Sequence, residues 1–191
     1  AAENCAEALG ETAAQQTFAS RRTKLIDAIN AQWNPQLKAY PDAMLDSTRN
    51  PSEKVCQHTS MLSIMCDIAS PEIRGAALSN LLNPPEGMTT IGSPFAMQFM
   101  YEALEKEGEF DALLQSIRTK FQPMIDVGAS TVWEMFAGSD FDTLGFPTRS
   151  HCHAWASSPI WFLNRIVLGI RQTQPAGTAF EISPWLGDLK Q

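Results

Sequence analysis

Two short stretches, STVWEMF (130–136) and SHCHAWASSP (150–159), bring one carboxylate, two histidines and two tryptophans close together in the chain. They are Glu134, His151, His153, Trp133 and Trp155. A carboxylate beside aromatic walls suits general-base work, drawing a proton from a water that attacks a polar substrate. Imidazoles hydrogen-bond hydroxyl groups, and indole faces cover the apolar side of a sugar ring. Each residue also has a purely structural reading. Glu134 follows a Gly128-Ala129-Ser130 turn and is expected near the start of a short helix, where the helix dipole favours a carboxylate by about 0.3–1 kcal/mol. His151 and His153 diverge on a helix but share a side on an extended loop, and either can be a satisfied core histidine. Trp133 and Trp155 can simply fill the core. His58, at another helix start, reads as a solvated or capping residue.

Metal chemistry is not expected. Cys152 lies between the two histidines, but adjacent ligands with no second pair nearby are a poor zinc pattern. The four cysteines (Cys5, Cys56, Cys66, Cys152) have no CxxC spacing and read as small free core thiols. No G-x-S-x-G, P-loop or G-x-G-x-x-G motif is present, so no nucleotide cofactor is expected either.

The 191 residues carry a net charge of −7 with no basic run, which argues against nucleic acid or an anionic membrane surface as partner. No apolar run reaches the roughly 18 residues of a membrane span. With 44% hydrophobic and 18% charged residues, the composition is that of a globular chain with a real core. The opening AAENCAEALG lacks signal-peptide character and reads as a helix already under way, and the end is abrupt. Both ends lead to the expectation of a piece of something longer. The compartment is not written in the sequence, although a parent exported to the periplasm or beyond is common for carbohydrate enzymes.

Helical patterning positions these residues. Phe18, Leu25, Ile26, Ile29 and Trp33 keep helical spacing from Glu11 to Trp33. A loop rich in Pro, Asp, Ser and Asn follows as far as Pro51, and Ser52-Glu53 then predicts the start of a helix apolar on most sides. Ser70-Pro71 and Ser93-Pro94 open two further helices. The next helix carries the stripe Leu113, Leu114, Ile117, Phe121, Met124 and Ile125, and AWASSPIWFLNRIVLGI is again apolar nearly all round, with Pro159 either kinking or opening it. All-round apolar helices thus alternate with one-sided ones, which is the logic of an inner ring covered by an outer one. The fold class expected is all-α, an α/α toroid or a helical-hairpin solenoid, and the lack of a fixed repeat length disfavours the solenoid. After Gly169, TAFEISPWL alternates like a strand with Phe180 and Ile182 to one side, expected to join a sheet lying beyond Gln191.

GASTVWEMF, with TRSHCHAWASSPIWFLNRIVLGIRQTQPAGTAFEISPWLGDLK after it, resembles the C-terminal part of bacterial α-L-rhamnosidases of glycoside hydrolase family 78. GSPFAMQFMYEALEKEG and VCQHTSMLSIM are similar to the preceding helices of that family's (α/α)6 barrel. The resemblance implies that residues 1–170 form about half of that barrel, with 171–191 starting a β-rich C-terminal domain. It also implies inverting hydrolysis of terminal α-L-rhamnosyl residues. Glu134 matches the family's general base and His153 its sugar-binding histidine, while Trp133, Trp155 and His151 are weaker matches for sugar contacts. The family's general acid comes from an earlier segment with no counterpart here. The expected partners are therefore a rhamnoside, the missing N-terminal part of a parent protein and, for bare inner helices, self-association. The competing readings are another (α/α)6 carbohydrate-active enzyme, or a helical module that binds carbohydrate or protein without chemistry.

Overall fold

The structure, a computed structural model, describes residues 1–44, 50–136 and 149–187. Residues 45–49 of the expected Pro-rich loop and 188–191 of the expected β region lie outside the described residues. Seven α-helices and one two-stranded sheet are described, in two compact units, Ala1–Thr89 and Thr90–Gln191. No helix among the described residues is long and apolar enough to cross a membrane.

The first unit pairs α1 (Ala2–Ala8) with α2 (Thr12–Asn30), and α3 (Gln57–Met65) with α4 (Pro71–Leu82). The α3 segment, apolar on most sides in sequence, buries Gln57, Ser60, Met61, Ser63 and Ile64, while α4 buries one stripe of Ala77, Asn80 and Leu81. Buried polar side chains join these pieces. Gln57 Nε2 donates to the carbonyls of Asn80 and Leu81 at 3.2 and 3.1 Å, answering carbonyls that the end of α4 leaves open. Asn80 Nδ2 donates to the Lys38 carbonyl at 2.8 Å. Asn30 accepts from the Tyr40 hydroxyl at 2.6 Å and donates to the Ile68 carbonyl at 2.8 Å, so the last residue of α2 binds two other segments.

Two expectations for this unit fail. The helix expected from Ser52 begins only at Gln57, because the residues before it are used in extended pairing. The Asp42 amide donates to the Lys54 carbonyl and the Ser52 amide to the Ala43 carbonyl. Cys56 then bridges Thr89 in parallel register, which leaves no backbone free for an earlier helical turn. The cysteines are free, but Cys5, Cys66 and Cys152 are exposed and Cys56 only half-buried, so they are not core thiols.

In the second unit Ser93-Pro94 opens a short 3₁₀ turn (Pro94–Ala96) that runs into α5 (Met97–Glu107), which Gly108 ends in the left-handed conformation. Helix α6 (Phe110–Asp126) buries Leu113, Phe121 and Met124. Its expected stripe ends early, since Ile125 is exposed. Pro159 sits in the first turn of α7 (Ser158–Phe162) and so opens that helix, which continues as a π-helical turn over Leu163–Val167. Tyr101 and Phe162, both fully buried, meet edge to face with centroids 5.4 Å apart. Glu105, 13% exposed, receives Arg165 Nε and Nη2 at 3.0–3.2 Å and has Arg171 Nε at 3.6 Å, tying α5 to the end of the chain.

The strand at Phe180–Ile182 (β2) finds its partner inside the chain. It pairs antiparallel with β1 (Ile170–Gln172), Ile170 facing Ile182. The turn into this hairpin is steric. Gly169 has φ +67°, and a Cβ there would lie 2.1 Å from the Ser183 carbonyl carbon and oxygen.

Two outcomes follow. G169A forces both a left-handed alanine and a backbone clash, costing about 2 kcal/mol or more. A thermal melt should fall by about 4 °C or more, and an unchanged Tm would rule out the close approach. Burial lowers the pKa of His58 from its ordinary 6.5 by taking the imidazolium out of water. The folded chain then binds fewer protons here than the unfolded one, so stability is full above pH 6.5 and falls as pH drops through that value. Melts of H58Q should show a shallower decline of Tm than the wild type between about pH 7 and about pH 5.5.

Candidate functional site

The candidate residues lie between α6 and α7, where residues 129–136 and 149–153 are described without helix or regular strand. Gly128, with φ +70°, ends α6, and residues 131–136, bent at 134–135, then lie beside 150–153. The His153 amide donates to the Val132 carbonyl and the Glu134 amide to the Ser150 carbonyl, both at 3.0 Å. Thr131 Oγ1 donates to the His151 carbonyl. A third segment adds to the other side: Ser93 Oγ donates to the Glu134 carbonyl at 3.1 Å, and the Phe136 amide to the Gly92 carbonyl at 3.4 Å.

Glu134 is therefore not at a helix start, contrary to the sequence expectation, because its amide and carbonyl serve cross-segment pairing. Trp133 (7% exposed) and Phe136 are buried on either side of it, and Phe136 packs edge to face on Phe121 at 5.5 Å. These anchors fix the strip, while the Glu134 side chain is half-buried and has no hydrogen-bond or ion-pair partner among the described residues. Such a carboxylate retains its full capacity to accept a proton or a hydrogen bond from a ligand.

The histidines lie on extended backbone, and they part company. His151 is exposed and stacks on Trp133, centroids 5.2 Å apart and planes at 23°. His153 is half-buried at the start of a 3₁₀ turn (Ala154–Ala156), its ring edge-on to Trp155 at 6.1 Å. The tryptophans separate as well. Trp133 takes the core role, whereas Trp155 is 70% exposed and lies against Phe95 at 5.3 Å. Among the described residues no three His, Cys, Asp or Glu side chains gather into a metal-binding group.

Two residues of this neighbourhood were not legible as such in the sequence. Phe95 reads there as one apolar residue of a helix, and Ser93 as a helix start. Ser93 does cap, accepting from the Phe95 amide at 3.3 Å, but the same hydroxyl reaches Glu134 across 41 residues of chain.

Comparison with known proteins adds the family. Residues 1–167 match the model of the bacterial α-L-rhamnosidase six-hairpin glycosidase domain. A crystal structure of a family 78 rhamnosidase from Bacillus sp. GL1 is similar over 97% of this chain, at 33% identity and a TM-score of 0.90. A rhamnosidase from Klebsiella oxytoca with rhamnose bound is similar over 86% of the chain, at 26% identity and a TM-score of 0.70. The chain spans only 20% and 31% of those two proteins. No curated protein matches it. The mostly helical structure, with its α1–α2, α3–α4 and α5–α6 hairpins, is that expected for part of a six-hairpin domain, and the chain belongs to the family of bacterial α-L-rhamnosidase six-hairpin glycosidase domains.

Proposed function

We propose that this chain supplies one side of the active site of an inverting glycoside hydrolase that removes terminal α-L-rhamnosyl residues, with Glu134 as general base. The observation that carries the reading is the Glu134 carboxylate itself. Its backbone is held from two sides, its neighbours Trp133 and Phe136 are buried, and its own oxygens are committed to nothing among the described residues.

In the proposed reaction Glu134 takes a proton from water as the water oxygen bonds to the anomeric carbon. A carboxylic acid on the opposite face gives its proton to the departing glycosidic oxygen as the carbon–oxygen bond breaks. Inverting geometry places the two carboxyl groups roughly 6.5–9.5 Å apart, leaving room for that water. The acid comes from a part of the protein outside these 191 residues. His153, half-buried beside the base, hydrogen-bonds a sugar hydroxyl. The exposed face of Trp155, backed by Phe95, stacks on the sugar or its aglycone. Trp133 and His151 are occupied with each other and shape the wall rather than grip the sugar. Residues 1–170 act as the C-terminal half of the barrel and 171–191 as the start of a β-rich domain.

In the full-length protein, E134Q should lower kcat on an aryl α-L-rhamnoside by about 10²–10⁴-fold, the usual worth of a general base. Proton NMR of the first-formed sugar should show the β anomer. A wild-type rate in E134Q, or retention of the α anomer, sinks the assignment. The isolated chain, having a base and no acid, should release no rhamnose from the same substrate, and robust turnover would contradict the division of the site.

A further inference from the structure

We infer that Ser93 is a positioning residue for Glu134, acting through the backbone that carries the carboxylate; the inference rests on the general-base reading of Glu134. The Ser93 hydroxyl has two contacts of opposite sense. It accepts from the Phe95 amide at 3.3 Å and lies 3.1 Å from the Glu134 carbonyl. An amide can only donate, so the one hydroxyl hydrogen is left for the carbonyl. The cap at the start of α5 thereby fixes the hydroxyl rotor that holds Glu134.

The other half of the clamp is main chain, the Glu134 amide on the Ser150 carbonyl at 3.0 Å. Ser93 thus contributes a side chain to a clamp whose other half is main chain. The residue after it, Pro94, has no N–H to offer the carbonyl. The Phe136 amide, two residues on, is already given to the Gly92 carbonyl. Without the hydroxyl the Glu134 carbonyl loses this anchor, and its peptide is free to turn. A general base works only within hydrogen-bond reach of the proton it abstracts, so a small rotation here acts on the chemical step rather than on substrate binding.

The test uses S93A, S93G and S93T in the full-length protein, each alone and combined with E134Q, with kcat and KM measured on an aryl α-L-rhamnoside. Glycine is tolerated at helix starts, so S93G loses the tether while largely keeping the cap, and it carries the comparison if S93A does not fold. Threonine keeps the hydroxyl. The expected result is a fall in kcat of about tenfold for S93A and S93G, with KM little changed and S93T close to wild type. In the E134Q background the Ser93 substitutions should cost nothing more. Wild-type kcat in both S93A and S93G overturns the proposal, as does a loss confined to S93A, which would mean capping alone. An equal loss with and without E134Q overturns it too, because it marks a structural role. A wild-type rate in E134Q itself instead removes the general-base reading on which Ser93 depends.

Discussion

The site depends on a backbone constraint: both main-chain polar groups of Glu134 are taken by segments remote in sequence, Ser150 on one side and Ser93 on the other. Extended backbone pairs with whatever runs beside it, and here neither neighbour is a regular strand. The arrangement is a patch of sheet-like hydrogen bonding between helical hairpins, with Trp133 and Phe136 buried as its anchors. Trp133 is buried while the adjacent Glu134 stays half-buried, so anchor and carboxylate occupy different environments.

Elsewhere, too, the hairpins are joined by polar groups placed where helices leave hydrogen-bonding capacity unused. In the first unit Gln57 answers carbonyls at the end of α4, and Asn30, at the end of α2, binds Tyr40 and Ile68. In the second, the carboxylate of Glu105 in the last turn of α5 receives Arg165 in a two-pronged contact. Removing one member of such a group leaves a partner poorly solvated and unpaired, which costs more than the bond itself contributes. These contacts fix how α3 meets α4 and how α2 meets the segment after α3, a task that a generic apolar stripe performs poorly.

What the sequence made legible follows the same physics. Signals that act within a few residues were readable: Ser70-Pro71 and Ser93-Pro94 open helices, and the crowded apolar content of α3 marks a buried helix. The misreadings share a cause. The delayed start of α3 at Gln57, the non-helical backbone at Glu134, and the partner of Phe180–Ile182 all depend on hydrogen bonds outside the local segment. No local spacing encodes those. The choice between core and exposed tryptophan failed for the same reason, since Trp133 and Trp155 look alike until the chain is folded. Glu134 and His153 were readable as residue types able to do chemistry. The pairing that brings their segments together was not.

The apolar surface that remains bare bears on how the site works. Helix α2 buries none of its residues, and Leu25, part of its apolar stripe, is 61% exposed. In the second unit Ile160 and Trp161 on α7 are exposed, as is Trp155 beside the candidate base. Single exposed apolar residues mean little, but large ones grouped on helix faces mark surfaces that something else covers. On the reading proposed here, the rest of a protein several times longer covers most of them and leaves Trp155 for the sugar. Dispersed in water, Glu134 would face solvent of high dielectric, where a carboxylate is a weak base and water is everywhere. Enclosed by the remaining hairpins, the same carboxylate would face one ordered water and one anomeric carbon, and only then does its fixed backbone matter.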